Sequence, residues 1–159
     1  MPLAKTGFHT VSTSQRAKRV PKVVLDTNVW LSALLWGGKP AEIIKAAEDG
    51  KFIVVTSEEI IREINQVLNY PRFRKIYEAE GLCHEDLLES VLKIVKFVNV
   101  TKRVKVVIDH AADNKFVECA LAADSDYIVS GDKHVPKVGS YKKIKIVSVT
   151  EFLEAITAK

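Results

Sequence analysis

The chain has 159 residues, the length of one typical domain, and no apolar run approaches the ~20 residues that a membrane-spanning helix needs. The N-terminus has no apolar stretch of the signal-peptide type, so we expect a cytoplasmic protein. The net charge of +4 arises near the N-terminus, because removing the five basic side chains of residues 1–22 from the total of 24 leaves 19 against 20 acidic ones. Net charge alone therefore does not predict a nucleic-acid surface on the folded part.

Residues 1–20 are rich in Ser, Thr, Lys and Arg and contain no acid. Such a segment buries too little apolar surface to offset the entropy lost on ordering. We therefore predict a basic, disordered N-terminal arm over 1–20 and one folded domain over 21–159. The arm is either a frayed terminus without function or a segment that touches RNA phosphates or a partner.

Apolar periodicity predicts strands that alternate with helices. The helix Ile60–Leu68 is expected to begin at a capping box made by Thr56 and Glu59 and to end before Pro71. Thr150 is expected to cap the C-terminal helix. In chain order the predicted elements are strand Val23–Leu25, helix Trp30–Leu35, helix Ala41–Glu48, strand Phe52–Val55, helix Ile60–Leu68, helix Phe73–Glu80, helix Leu87–Phe97, strand Val104–Ile108, helix Lys115–Ala123, strand Tyr127–Val129, strand Ile144–Val147 and a C-terminal helix. This order predicts a three-layer α/β/α sandwich with a central parallel sheet.

Several kinds of site are disfavoured by the residues present. The two cysteines, Cys83 and Cys119, are far apart in sequence and fit reduced thiols better than a disulfide framework or a zinc site. The chain also has no Gly-rich phosphate loop, which argues against a nucleotide cofactor.

Three acidic residues lie at or near predicted strand ends. Asp26 directly follows the first strand, Asp132 follows Tyr127–Val129, and Asp113 precedes the helix that leads into that strand. Ligands of parallel sheets bind outside the carboxyl ends of the strands. A fourth acid, Glu63, lies about 100° from the centre of the apolar stripe of its helix, at the border of the buried face, from which it could reach the sheet rim.

Four converging carboxylates would repel one another in a poorly solvated cleft, and a bound cation removes that repulsion. Mg²⁺ prefers oxygen ligands, and nucleases use such ions to activate water for phosphoryl transfer. Each acid also has a purely structural explanation: Asp26 or Asn28 could cap a helix, Asp113 or Asp109 could do the same, Asp132 could lie in a turn, and Glu63 could pair with Arg62 or Lys115.

At these residues the sequence resembles the PIN-domain family. The ordered set covers about residues 22–157. The matching segments are Val24–Asn28, Thr56–Ile64, Asp109–Phe116, the small-residue run Ala120–Ala123 and Tyr127–Lys133. The resemblance is to the subgroup that contains toxins of prokaryotic toxin–antitoxin pairs.

The resemblance implies a Mg²⁺- or Mn²⁺-dependent endoribonuclease, often a homodimer and often held inactive by an antitoxin. It implies catalytic and metal-binding roles for Asp26, Glu63, Asp113 and Asp132. It also implies a polar rim for substrate at Asn28, Ser130 and Lys133, with Ser130 where Thr is common. Asp109 falls near a further acid of the subgroup, but Ala111–Ala112 departs from its pattern.

Two other functions remain as alternatives. A receiver-like or phosphatase-like domain would need a second acid beside Asp26, where Thr27 and Asn28 stand instead. The other alternative is a PIN-like fold that binds RNA or a protein without cutting. A weaker hypothesis is a phosphate-guiding patch made by Arg72, Arg74, Lys75, Lys133, Lys137, Lys142 and Lys143.

Overall fold

A computed structural model describes residues 19–104, 114–131 and 140–157. Its strands are β1 (Lys22–Leu25), β2 (Ile53–Thr56), β3 (Val95–Phe97), β4 (Tyr127–Val129), β5 (Ser140–Tyr141) and β6 (Ile144–Val147). Its helices are α1 (Thr27–Leu35), α2 (Gly38–Glu48), α3 (Glu58–Leu68), α4 (Pro71–Ala79), α5 (His84–Ile94), α6 (Asn114–Ala123) and α7 (Val149–Thr157). Asp109, Asp113, Asp132, Lys133 and Lys137 lie outside the described residues, as do residues 1–18 of the predicted arm and all of the predicted strand 104–108 but Val104.

The six strands form one sheet in the order β3-β2-β1-β4-β6-β5. All neighbouring strands are parallel except the short edge strand β5, which runs antiparallel to β6. Helices flank the sheet, and the predicted three-layer α/β/α class is confirmed. The chain leaves β1 toward β2 on one side and returns to β4 on the other, so the strand order reverses between β1 and β4. A reversal of this kind opens a crevice at the carboxyl ends of the two strands.

Apolar residues of the central strands form the middle of the core. Val23, Val24 and Leu25 of β1 are almost completely buried, as a strand covered on both faces requires. The ring of Phe152 in α7 packs edge-on against Phe52 and Tyr127, at centroid distances of 4.9 and 5.3 Å. The last helix is therefore part of the core.

Two glycines shape the connection between α1 and α2. Gly37 and Gly38 have φ angles of +78° and +65°, a region that residues with a Cβ rarely adopt. The predicted end of the first helix at Leu35 is confirmed.

The predicted helix Leu87–Phe97 was wrong at its end. Helix α5 stops at Ile94, and Val95–Phe97 forms strand β3, which pairs in parallel with β2. The apolar spacing of this stretch fits a helix, but hydrogen bonding to the edge of the sheet decides its conformation.

Both predicted helix caps were wrong by one or two residues. Ser57, not Thr56, caps α3 by accepting the Ile60 N–H, while Thr56 ends β2. Ser148, not Thr150, caps α7, because its hydroxyl accepts the Glu151 N–H and the Glu151 carboxylate accepts the Ser148 N–H. The latter pair is a reciprocal capping box. Pro71 is the first residue of α4, where its fixed φ and missing N–H are tolerated.

We expect Phe152→Ala to lower the free energy of unfolding by about 3–5 kcal/mol, because it removes a fully buried ring from a close-packed contact. Leu92→Ala, at a position 42% exposed, should change it by less than about 0.5 kcal/mol. Urea denaturation followed by circular dichroism measures both. Equal effects of the two substitutions would contradict the assignment of α7 to the core.

Candidate metal and substrate cleft

Asp26 lies where the carboxyl ends of β1 and β4 meet. Leu25 pairs with Val129 in the sheet, and the Asp26 N–H donates to the Val129 carbonyl at 3.0 Å. The register therefore brings the residues after the two strands, Asp26 and Ser130, to the same point of the rim. The predicted position of Asp26 at the strand end is confirmed.

The Asp26 carboxylate is held by hydrogen bonds on both oxygens. Oδ1 accepts the Val29 N–H at 2.9 Å, so Asp26 also caps α1. Oδ2 accepts the Ser130 hydroxyl at 2.6 Å and the Gly131 N–H at 3.1 Å. Asp26 is only 5% exposed, and donors at such distances stabilise its negative charge. Asp26 therefore both caps α1 and lies at the rim of the sheet.

Glu63 reaches the same region from the second turn of α3. Its Oε1 accepts the Thr27 hydroxyl at 2.5 Å, and its Oε2 lies 3.5 Å from the Lys115 ammonium of α6. The ion pair with Lys115 that the sequence allowed is therefore present, whereas Arg62 pairs with Glu58 instead. The Glu63 side chain remains about one-third exposed, as its border position on the helix predicted.

Asp26 and Glu63 line one cleft of about 180 Å³. Its other lining residues are Thr27, Asn28, Leu31, Val67, Tyr70, Arg72, Phe73 and Phe116. Asn28 is exposed at this cleft. Ser130 is buried, and its hydroxyl donates a hydrogen bond to the Asp26 carboxylate. We call this space the Asp26 cleft.

A larger cleft of about 290 Å³ lies between the start of α3 and the segment after β3. Its charged residues neutralise one another, since Arg62 pairs with Glu58 and Arg103 pairs with Glu59. Arg103 also pairs with the buried Glu118, whose second oxygen accepts the Val104 N–H. These contacts fix the chain immediately before residues 105–113, and the two carboxylates that line the cleft, Glu58 and Glu59, are both paired with arginines.

The two cysteines do not contribute a reactive group to the Asp26 cleft. Cys119 is buried in α6, and this burial raises the pKa of its thiol to about 12 despite an opposing hydrogen bond with Ser57. A thiol with that pKa is neutral at pH 7 and a poor nucleophile. Cys83 is a free, exposed thiol at the start of α5.

Within the described ranges, no cluster of three or more metal-ligating side chains is found. Asp26 and Glu63 are brought into one cleft, whereas Asp113 and Asp132 fall in the gaps at 105–113 and 132–139. Asp113 directly precedes the buried Asn114 and Lys115 of α6, and Asp132 directly follows Gly131, which contacts Asp26. Their roles remain predictions.

Three residues of the cleft were not predicted from the sequence. Thr27 orients Glu63, and Tyr70 and Phe73 line the cleft beside Arg72. The alternation Tyr70-Pro71-Arg72-Phe73-Arg74 was the available signal, because rings interleaved with arginines are typical of single-stranded nucleic-acid surfaces. Arg74, by contrast, is paired with Glu78, which weakens the predicted phosphate-guiding patch at that position.

The fold and the cleft together define an α/β domain with carboxylates at its topological switch point. Comparison with known proteins gives this class a family: the PIN domain model matches residues 22–134, so the chain belongs to the PIN-domain family. It is 30% identical over 142 residues to the uncharacterized protein MJ1680 from Methanocaldococcus jannaschii, covering 84% of this chain and 90% of that one. The crystal structure of PAE2754 from Pyrobaculum aerophilum is similar in fold, with a TM-score of 0.59 at 13% identity, over 88% of this chain and 92% of that one. No helix in the part of the chain that the structure describes is long and apolar enough to cross a bilayer.

We expect Ser130→Ala to lower the free energy of unfolding by about 1.5–3 kcal/mol at neutral pH, because the buried Asp26 carboxylate loses a hydroxyl donor.

Ser130→Thr, which keeps the hydroxyl, should restore most of the stability. Ser90→Ala, which removes an exposed hydroxyl, serves as the matched control and should change it by less than about 0.5 kcal/mol. Urea denaturation at neutral pH measures all three variants. An Ser130→Ala effect no larger than the Ser90→Ala effect would contradict the proposed support of Asp26.

Proposed function

We propose that the chain is a metal-dependent endoribonuclease that hydrolyses RNA phosphodiester bonds in the Asp26 cleft. The observation that carries this proposal is the convergence of Asp26 and Glu63, 37 positions apart in sequence, on one cleft at the switch point of the sheet. Membership of the PIN-domain family supports it, since PIN domains are generally metal-dependent nucleases.

The residues of the cleft fit a hard divalent cation. Both described carboxylates are oxygen donors, and each is oriented by a neighbour, Asp26 by Ser130 and Glu63 by Thr27. Preorganised carboxylates of this kind are what Mg²⁺ or Mn²⁺ requires. We propose that Asp26 and Glu63 hold the ion together with Asp113 and Asp132.

A bound divalent ion would supply an activated water and would stabilise the charge that develops on the phosphate. The chain's own residues position the reactants. Asp26 and Glu63 would fix the position of that ion, and the exposed Asn28 offers an amide at the mouth of the cleft that can donate to the RNA. We propose Asn28, Ser130 and Lys133 as the polar rim, with Ser130 acting through Asp26.

The ion pair between Lys115 and Glu63 favours a second candidate function. Its ammonium lies 3.5 Å from Glu63 and is largely buried, so part of the negative charge of the cleft is balanced by the protein itself. A PIN-like module that binds RNA or a protein without cleavage would need no cation there.

We further propose, on the family resemblance, a homodimer and control by an antitoxin.

We expect wild-type protein to cut RNA in Mn²⁺ or Mg²⁺ and to lose this activity in EDTA. Asp26→Asn, Glu63→Gln and Asp132→Asn should each lower the rate by at least about 100-fold, because even residues that only support metal ligands contribute 10–100-fold. Glu58→Gln, on the same helix as Glu63 but paired with Arg62 outside the Asp26 cleft, should cut at the wild-type rate.

The measurement is cleavage of structured and single-stranded RNA on denaturing gels, with circular dichroism to check folding. Asn can keep the cap on α1, but its Nδ2 cannot accept the Gly131 N–H as Asp26 Oδ2 does. Circular dichroism therefore decides whether Asp26→Asn is folded, and Glu63→Gln, at a partly exposed position, tests the same site with less effect on the core. Wild-type protein that binds RNA without cutting it would favour the non-catalytic alternative. Equal cutting by wild type and Asp26→Asn would make the site assignment wrong.

A further inference from the structure

The mouth of the Asp26 cleft carries aromatic rings from the start of α4. Tyr70 and Phe73 line the same cleft as Asp26 and Glu63. Tyr70 is 40% exposed, and Phe73 packs edge-on against the exposed Trp36 at a centroid distance of 6.3 Å. The carboxylates and the rings therefore form two parts of one continuous surface.

Arg72 lies between these rings. Its guanidinium carbon is 4.7 Å from the centroid of Phe73 and 5.9 Å from that of Tyr70. Such contacts hold the guanidinium in place through cation–π attraction. We call Tyr70, Arg72 and Phe73 the aromatic lip.

Arg72 differs from the other arginines in the described ranges in having no carboxylate partner. The remaining ones each form an ion pair, namely Arg19 with Asp126, Arg62 with Glu58, Arg74 with Glu78, and Arg103 with Glu59 and Glu118. Arg74 is only two residues away, yet its charge is balanced by Glu78. The charge of Arg72 is thus available to an anion at the mouth of the cleft.

Aromatic faces beside a fixed guanidinium are a recognition surface for nucleotides. Unstacked bases of single-stranded RNA stack on aromatic side chains or on arginine planes, and the guanidinium binds phosphate oxygens well. A base inside a duplex has no free face to offer.

We propose that the aromatic lip binds one nucleotide of single-stranded RNA, adjacent to the phosphate that reacts at Asp26 and Glu63. The base stacks on Tyr70, and the Arg72 guanidinium contacts the phosphate. This inference rests on the proposed nuclease function, and it adds to that function a nucleotide subsite at the start of α4.

The test is equilibrium binding in EDTA, measured by fluorescence anisotropy with a labelled RNA of about 12 nucleotides, either single-stranded or annealed to its complement. Wild type should prefer the single strand. Tyr70→Ala should weaken this binding about tenfold, within the range for loss of one stacked base, and Tyr70→Phe should restore it. The Tyr70 side chain makes no capping hydrogen bond, so its truncation should leave α4 intact.

Arg72→Gln should also weaken binding and should lower the slope of log Kd against log salt by about 0.7, the value for one phosphate contact on a single strand. Arg74→Gln is the matched control, because its charge is already paired. Phe97→Ala removes an aromatic ring that is 52% exposed outside the cleft. Both controls should bind as wild type does, with the wild-type salt slope.

The outcomes separate this proposal from the nuclease proposal. If Mn²⁺-dependent cleavage occurs but Tyr70→Ala and Arg72→Gln match the controls in Kd and KM, the aromatic lip proposal is overturned and the nuclease survives. If the lip variants lose RNA binding but wild type never cuts, the lip stands and the nuclease proposal fails. If the lip variants change only the oligomeric state in sedimentation, the surface is a protein interface and the RNA proposal is overturned.

Discussion

The rest of the site depends on the hydrogen bonds that the Asp26 carboxylate accepts. Its Oδ1 caps α1, and its Oδ2 accepts donors from Ser130 and Gly131, which follow β4. One side chain therefore connects the two strands at which the sheet changes direction and the helix that leaves between them. This places a buried negative charge at the crevice that the topology opens, and three donors stabilise it there. Any ligand of the cleft meets a carboxylate whose position is already determined.

The second carboxylate depends on this arrangement. The hydroxyl of Thr27, the residue after Asp26, donates a hydrogen bond to Glu63 and so connects α3 to the end of β1. Lys115 contacts the other oxygen of Glu63 from α6. Glu63 is thus shared between three helices, and its partial exposure leaves it accessible from the cleft. The neighbouring aromatic lip adds the exposed ring of Tyr70, the partly buried ring of Phe73 and an arginine without a carboxylate partner in the described residues. Charged and apolar groups therefore line the same cleft.

The position of Asp26 could be predicted from sequence because β1 is a short apolar run that ends at an acid, and strand ends are where such sheets bind ligands. Strand β3 could not, since Val95–Phe97 continues the apolar spacing of α5 and only pairing with β2 makes it a strand. The caps at Ser57 and Ser148 were ambiguous because a second hydroxyl residue lies close to each, Thr56 directly before Ser57 and Thr150 two positions after Ser148. The contact between Thr27 and Glu63 joins distant parts of the chain, which no local pattern reports.

The central claim is that Asp26 and Glu63, with Asp113 and Asp132, hold one divalent cation. The most direct measurement is a crystal structure of wild type grown with Mn²⁺, with anomalous diffraction recorded near the manganese absorption edge. The account predicts an anomalous peak in the Asp26 cleft, with oxygens of Asp26 and Glu63 among its ligands. A cleft without a peak at saturating Mn²⁺, or a peak that Asp26 does not contact, would contradict the account.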